Sequence, residues 1–312
     1  MTHVVVLRAL GLGDLLTAVP ALRALRRHDP HARITLASPP AVGRWLAAQG
    51  VVDDVVPAWG TMDFAWREQT PDLAVNLHGS GPQSHRALQR LRPRQLLAFA
   101  SREAAHDDGP PWSAAEHEVD RWVRLAHWAG MPCSADDLRL SPPDGTGRLG
   151  LGHVVVHPGA ASASRRWPAQ RWAAVARNLT GNGCRVVVTG GPDEHALCAE
   201  VAREGRAENR CGRDDLASLA ALVAAADLLL CGDTGPAHLA TAYGTPSVLL
   251  FGPVDPARWG PRIDADIHRV IWHPRTGDPP GDPHGDDLDA RLARVTVAEV
   301  VAAAEALQPA AC

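Results

Sequence analysis

An apolar run that halts at a glycine turn and restarts as a helix is the pattern that most constrains this chain. The stretch Asp227 to Pro253, DLLLCGDTGPAHLATAYGTPSVLLFGP, states it most fully. Leu228 to Cys231 is apolar and stops at Gly232-Asp233-Thr234-Gly235; Pro236 opens a short helical segment through Tyr243; Gly244-Thr245-Pro246 leads into a second apolar run, Ser247 to Phe251. Proline belongs in a first helical turn and glycine just past a helix end, so the punctuation predicts strand, turn, helix, turn, strand. Such a turn places the N–H groups of Thr234, Gly235 and Ala237 at the positive end of a helix, beside the C-terminal end of a strand. A phosphate group fits that position.

The same alternation runs through the chain. His3 to Ala9 (HVVVLRA) is a β-branched run followed by Leu10-Gly11-Leu12-Gly13-Asp14 and a helical segment ending near Arg26-Arg27-His28. Arg33 to Ser38 predicts a strand, Ala41 to Gln49 a helix and Val51 to Val56 an extended piece. Asp72 to Leu77 predicts a strand running into His78-Gly79-Ser80-Gly81-Pro82, with a helix from about Gln83 to Leu91 and a short strand at Leu96 to Phe99. Arg102 to Trp112 lacks periodicity and reads as a mobile loop, before a helix over Glu116 to Gly130. Ser141 to Gly152 (SPPDGTGRLGLG) is the best linker. After it the alternation restarts at His153 to His157, continues through a helix at Ala169 to Leu179, strand Arg185 to Thr189, a helix at Glu194 to Arg203 and a helix at Leu216 to Ala225, and closes with a helix at Val297 to Leu307 announced by Thr296 and Glu299. Strands followed by helices throughout mean parallel sheets covered on both faces.

At 312 residues the chain exceeds one ordinary core. The expected division is 1–145, 151–295 and a closing helix at 296–312 that packs back on the first domain. Hydrophobic content of 46% and charged content of 21% fit a soluble globular protein, no apolar stretch reaches membrane-span length, and the N-terminus lacks a signal-peptide layout, so a cytoplasmic location is expected. A net charge of −4 without a basic block argues against nucleic acid as a partner. The six cysteines form no C-x-x-C pair, which favours reduced buried thiols over zinc or disulfides. All 31 basic residues are Arg, so a cationic site must use guanidinium or imidazole.

The first glycine turn fails as a dinucleotide fingerprint. Leu16 stands where the third glycine belongs, and the second strand ends at Ala37-Ser38 without an acid for a ribose. Asp14 nevertheless puts a carboxylate in a first helical turn at a sheet's C-terminal edge, where the dipole favours its ionised form and it can take a proton. Thr189, Gly190 and Gly191 end another strand where a ribose or base can lie, though a plain turn reads equally well. His157 precedes Pro158-Gly159 at a strand end, where an imidazole can reach a bound phosphate. His78, Gly79, Ser80 and Gln83 end a first-domain strand and can line a ligand site, against an ordinary loop. Trp167 and Trp172 read as packing rather than a stacking platform. The loop His273 to Asp287, with two histidines and several aspartates, lacks metal-ligand spacing and reads as a solvated lid or surface loop.

Read together, GLGDLLTAVPALRALRR, SRRWPAQRWAAVA, VVVTGGPDE, GDTGPAHLATAYGTPSVLLFGP and LARVTVAEVVAAA resemble, in that order, the bacterial family 9 glycosyltransferases, typified by ADP-heptose:lipopolysaccharide heptosyltransferases. The resemblance runs nearly end to end. It implies a GT-B architecture, two Rossmann-like α/β domains with parallel sheets facing across a cleft, the first for the acceptor and the second for the nucleotide-sugar. It implies inversion at the anomeric carbon with no cofactor and no required metal. Asp14, preceded by Gly13, matches the family's proposed base; Thr234 and Gly235, with Pro236, match the loop holding the diphosphate; Asp233 and His238 match residues near the transferred sugar and phosphates. Arg165 stands where the family commonly has Lys before the aromatic-Pro pair, which puts the sugar geometry in question. The expected partners are an ADP-sugar and a glycan or small-molecule acceptor, with peripheral membrane association if the acceptor is lipid-linked. The competing reading is a non-catalytic nucleotide- or glycan-binding protein on the same scaffold.

Overall fold

The computed structural model describes residues 1–61, 66, 69–143 and 152–307. It divides into two compact units, Met1–Leu138 and Arg139–Cys312. The division falls before the expected boundary at 145–151. Most of the glycine-rich linker, 144–151, lies outside the described residues.

In the first unit the order is β1 (His3–Leu7), α1 (Leu12–Thr17), α2 (Val19–His28), β2 (Arg33–Ser38), α3 (Pro40–Ala48), β3 (Asp54–Pro57), β4 (Leu73–Asn76), α4 (Gln83–Gln89), β5 (Gln95–Leu97) and α5 (Glu118–Trp128). The strands form one parallel sheet in the order β3-β2-β1-β4-β5. The β-branched run of β1 is buried almost throughout because it lies mid-sheet with neighbours on both sides. The single helix expected after the first glycine turn is two helices. Pro20 sits in the first turn of α2, where its missing N–H costs nothing; inside a continuous helix it would break the hydrogen-bond ladder. The segment expected to be a mobile loop is fixed. Ser101 and His106 form an antiparallel bridge, the Ala100 N–H donates to the Pro110 carbonyl, and Trp112 packs edge-on against Phe99 at 5.1 Å.

The second unit comprises β6 (His153–His157), α6 (Ala169–Gly181), β7 (Arg185–Val188), α7 (His195–Gly205), β8 (Glu208–Asn209), α8 (Leu216–Ala224), β9 (Leu228–Gly232), α9 (Gly235–Tyr243), β10 (Ser247–Leu250), α10 (Pro256–Trp259), β11 (His268–Ile271), α11 (Ala290–Ala293) and α12 (Val297–Leu307). Its parallel sheet runs β11-β10-β9-β6-β7-β8. β8, α10, β11 and α11 are too short to show a period in sequence. The closing helix α12, expected to pack back on the first domain, belongs to the core of the second unit. Val300 and Ala304 join Trp167, Trp172 and Leu230 there, because the small residues on that helix face admit close approach to α6 and β10. Gly244 ends α9 at φ +68, the left-handed conformation that glycine adopts without a Cβ penalty. Cys133, Cys198, Cys211 and Cys231 are free thiols; Cys184 departs from the expectation and is disulfide-bonded.

Ser247 and His268 face each other across β10 and β11, with the Ser247 hydroxyl 2.8 Å from His268 Nδ1. His268 is buried, and burial pulls its imidazole down to about 4, with Asp264 and Asp266 opposing. The folded state therefore refuses a proton that the unfolded chain accepts near pH 6.5. The associated stability is complete above pH 6.5 and is lost as pH falls toward 4, on the order of 2–3 kcal/mol. Thermal melts between pH 7 and 4.5 should show a shallower acid-side decline for His268→Asn than for the wild type. Parallel declines would remove His268 as the cause.

Candidate active site

Each sheet has one point where the strand order reverses, and the candidate residues gather at both. Ligands of open α/β sheets bind at such points, outside the carboxyl ends of the strands, because the connecting loops diverge there. In the first unit the reversal lies between β1 and β4; in the second it lies between β6 and β9.

At the first unit's reversal, β1 ends at Leu7 and the chain turns through Arg8 into α1, whose first turn carries Asp14. Gly13 precedes it within the helix. The Asp14 side chain is 32% exposed, enough to meet a ligand. Arg8 is fully buried beneath it. Its Nε donates to the Asp14 carbonyl at 2.9 Å, Nη1 donates to the Leu77 carbonyl, and Nη2 donates to Thr17 Oγ1 at 3.0 Å and Glu118 Oε1 at 3.1 Å. Burial lowers the guanidinium to about 10, while the Asp14 charge raises it; it stays cationic at neutral pH. From the neighbouring strand end comes His78, whose Nδ1 accepts the Ala9 N–H at 3.2 Å. That contact puts a neutral ring's proton on Nε2. Burial, reinforced by Arg8 and opposed by Asp14, pulls His78 down to about 4. Ser80, on the β4–α4 connection, and Gln83, the first residue of α4, are exposed, and among the described residues no hydrogen bond ties them to Asp14.

At the second unit's reversal, β9 ends at Gly232 and Asp233 turns into α9. Thr234 is the N-cap in an extended conformation and makes no side-chain cap, so the helix end is left open to an acceptor from outside. Pro236 has no N–H. The Ala237 N–H, expected to be free, donates to the Thr234 carbonyl at 3.0 Å, a short-range bond that closes the first turn. The cradle therefore rests on Thr234 and Gly235. His238 follows one turn on, edge-on to Trp259 at 6.1 Å. Arg165 is brought onto this turn: Nη1 donates to the Asp233 carbonyl at 3.2 Å and lies 3.6 Å from Asp233 Oδ2, while Nε donates to Ser162 Oγ at 3.3 Å. A guanidinium, a carboxylate and a helix N-terminus thus share one strand end.

His157, Thr189, Gly190 and Gly191 form the adjoining cluster, because β6 neighbours both β9 and β7. His157 Nδ1 lies 3.0 Å from Thr189 Oγ1, and burial lowers the imidazole against the pull of Glu194. Glu194, not anticipated from sequence, is the hinge of this cluster. Its Oε2 accepts the Gly191 N–H at 2.8 Å and lies 4.0 Å from His157 Nε2. Gly159 makes room for it, since a Cβ there would overlap the carboxylate. The other unanticipated residues are Arg8 and Glu118. Arg8 had a visible signal: a charged residue between the buried runs of HVVVL and Ala9.

Two expectations are settled away from these sites. Trp167 and Trp172 are buried, edge-to-face at 4.9 Å and 81°, which makes them core. The loop after β11 is the exposed surface loop expected of His273 to Asp287, with no buried residue in it, and ion pairs tether it. Arg294 pairs with both Asp278 oxygens at 2.6 and 2.7 Å, holding that carboxyl below its usual range, and Arg291 pairs with Asp289 at 2.9 Å. His273 lies 2.8 Å from Glu299, and among the described residues no cluster of three or more metal-ligating side chains occurs.

The family model described as glycosyltransferase family 9 (heptosyltransferase) matches residues 104–274, more than half the chain. Lipopolysaccharide heptosyltransferase 3 of Escherichia coli is 30% identical over 166 residues, which cover 52% of this chain and 48% of that protein. Lipopolysaccharide heptosyltransferase 2 of Salmonella typhimurium is 25% identical over 288 residues, covering 78% and 81%. With lipopolysaccharide heptosyltransferase 3 and the Haemophilus influenzae core heptosyltransferase OpsX, the chain spans just under half of the relative's length. Two solved structures share the fold at TM-score 0.77: a family 9 glycosyl transferase from Veillonella parvula, 20% identical over 98% of this chain and 97% of that one, and E. coli ADP-heptose lps heptosyltransferase II, 19% identical over 98% of both. The two parallel-sheet units are those of the GT-B fold, and the chain belongs to glycosyltransferase family 9.

Proposed function

We propose that the chain is an inverting glycosyltransferase that moves a heptose or a related sugar from an ADP-sugar to a hydroxyl of a glycan or natural-product acceptor. The observation that carries this reading is the pairing of Arg165 with the open N-terminus of α9 on one strand end. Asp14 takes the proton of the acceptor hydroxyl, the oxygen forms its bond to the sugar C1, and the bond from C1 to the diphosphate oxygen breaks. The leaving ADP gains the negative charge. The Thr234 and Gly235 amides and the Arg165 guanidinium stabilise that charge as it develops, a role that needs fixed positive groups and no metal. Asp233 holds Arg165 in place, His238 and His157 flank the phosphates, and Thr189 to Gly191 with Glu194 border the nucleoside. His78, neutral with its proton on Nε2, faces the acceptor with Ser80 and Gln83. The relatives' names support heptose as the sugar and lipopolysaccharide as an acceptor class; such an acceptor brings the enzyme to a membrane surface.

Thermal shifts with nucleotides and nucleotide sugars test the donor. At 100 times its dissociation constant a ligand stabilises by about 2.7 kcal/mol, so ADP and ADP-heptose should raise the melting temperature by several degrees and UDP, GDP and dTDP by much less. Equal shifts, or none, would sink the ADP assignment.

A further inference from the structure

We propose that Arg8 is a positioning residue for Asp14, holding the carboxylate in place from beneath through a buried chain of alternating charges, Asp14, Arg8, Glu118 and Arg121. This rests on the reading of Asp14 as the base. A fully buried guanidinium must have its donors satisfied, and Arg8 meets that need with groups from three directions: the α1 turn, the end of β4 and α5. Its face lies on the Trp122 ring, 4.6 Å from the centroid. Position and orientation are therefore fixed, and through the Asp14 carbonyl so is the turn that carries the base. Thr17 Oγ1 donates to the same carbonyl at 2.7 Å, a second tie on one atom.

The carboxylate itself is treated differently. Asp14 Oδ1 lies 3.8 Å from Arg8 Nη2, beyond hydrogen-bond reach, and Nη2 already donates to Thr17 and Glu118. Asp14 thus sits beside a fixed positive charge without giving up a lone pair to it. A base that must accept the acceptor's proton needs that arrangement. Glu118 alone would offset Arg8, but its other oxygen is taken by Arg121, whose guanidinium lies 4.1 Å from the Trp112 ring centroid. Trp122 Nε1 donates to Glu118 at 3.1 Å. Arg121 draws on the Glu118 charge and leaves the field of Arg8 available to Asp14.

A double-mutant cycle read as ADP release from ADP-heptose tests this with water as the acceptor, so the assay does not depend on knowing the natural one. Asp14→Asn, Arg8→Lys, Arg8→Met and their combinations are compared, with ADP-induced thermal shifts confirming folding. Arg8→Lys keeps a charge but cannot bridge all the acceptors, and should lower kcat about 10-fold; Arg8→Met should lower it about 100-fold, both with donor KM within about twofold of wild type. In the Asp14→Asn background neither should lower kcat further by more than about twofold, because residues acting through one another are non-additive. Wild-type kcat in Arg8→Lys, or losses that multiply with Asp14→Asn, would overturn the proposal while leaving the transferase reading intact. Should Arg8→Met fail to fold, Arg8→Lys decides alone. No ADP release by the wild type, or full release by Asp14→Asn, would remove the reading and the proposal with it.

Discussion

Replacing Asp14 with Asn should lower sugar transfer by about 10²–10⁴-fold while leaving ADP affinity within about twofold of wild type. The side chains have nearly the same shape, and the substitution keeps the backbone carbonyl that Arg8 and Thr17 engage, so the turn stays formed. What disappears is the proton acceptor, since an amide cannot take up the acceptor's proton at neutral pH. ADP affinity is the control because the proposed diphosphate contacts, Arg165, Thr234 and Gly235, belong to the other unit. Calorimetric titration with ADP and turnover with ADP-heptose separate the two effects. Unimpaired turnover would take Asp14 out of the mechanism, and a parallel loss of ADP binding would show a structural cause.

The second large effect concerns stability. Trp167→Ala should cost about 3–5 kcal/mol, the usual range for emptying a buried indole site, and lower the melting temperature by roughly 10 °C. Trp167 is among the largest fully buried side chains. It packs edge-on against Trp172, lies in one core with Val300 and Ala304 of α12, and donates from Nε1 to the Val295 carbonyl at 3.2 Å. Arg171 donates to that carbonyl as well, so the loss is mainly of packing. Trp167→Phe should recover a large part of the stability, and ADP should still raise its melting temperature by the wild-type increment. Loss of that increment in the Phe variant would make the indole a ligand contact after all.

The strong elements were legible because each carries a period and punctuation of its own. The segment Asp227 to Pro253 shows this best: Pro236 and Gly244 bracket α9 in the sequence as they do in the structure. α12 likewise begins where Thr296 and Glu299 form their reciprocal cap. The misreadings came where contacts distant in sequence decide the outcome. Arg102 to Trp112 looks aperiodic because its order comes from Phe99 and from bonds back to Ala100. The loop after β11 reads correctly as surface, but its tethers do not show in the sequence: Arg291 and Arg294, on and just after α11, hold Asp289 and Asp278. Glu194 was hidden because it reads as an ordinary residue in a first helical turn; its value comes from Gly159, far upstream, which leaves the space it occupies.

By itself the sequence determined two parallel α/β units, the glycine turns at their strand ends and the residue types placed there: Asp14 at one, Asp233-Thr234-Gly235 at another. These are local matters, fixed by backbone conformation and hydrophobic period within about twenty residues. Only the tertiary structure decided what surrounds those residues. Strand order put His78 beside the Asp14 turn and His157 beside the end of β9. Burial made Arg8 seek acceptors from α1, β4 and α5 at once. A buried charge must find its partners wherever the fold brings them, and the spacing of residues along the chain does not record which partners those are.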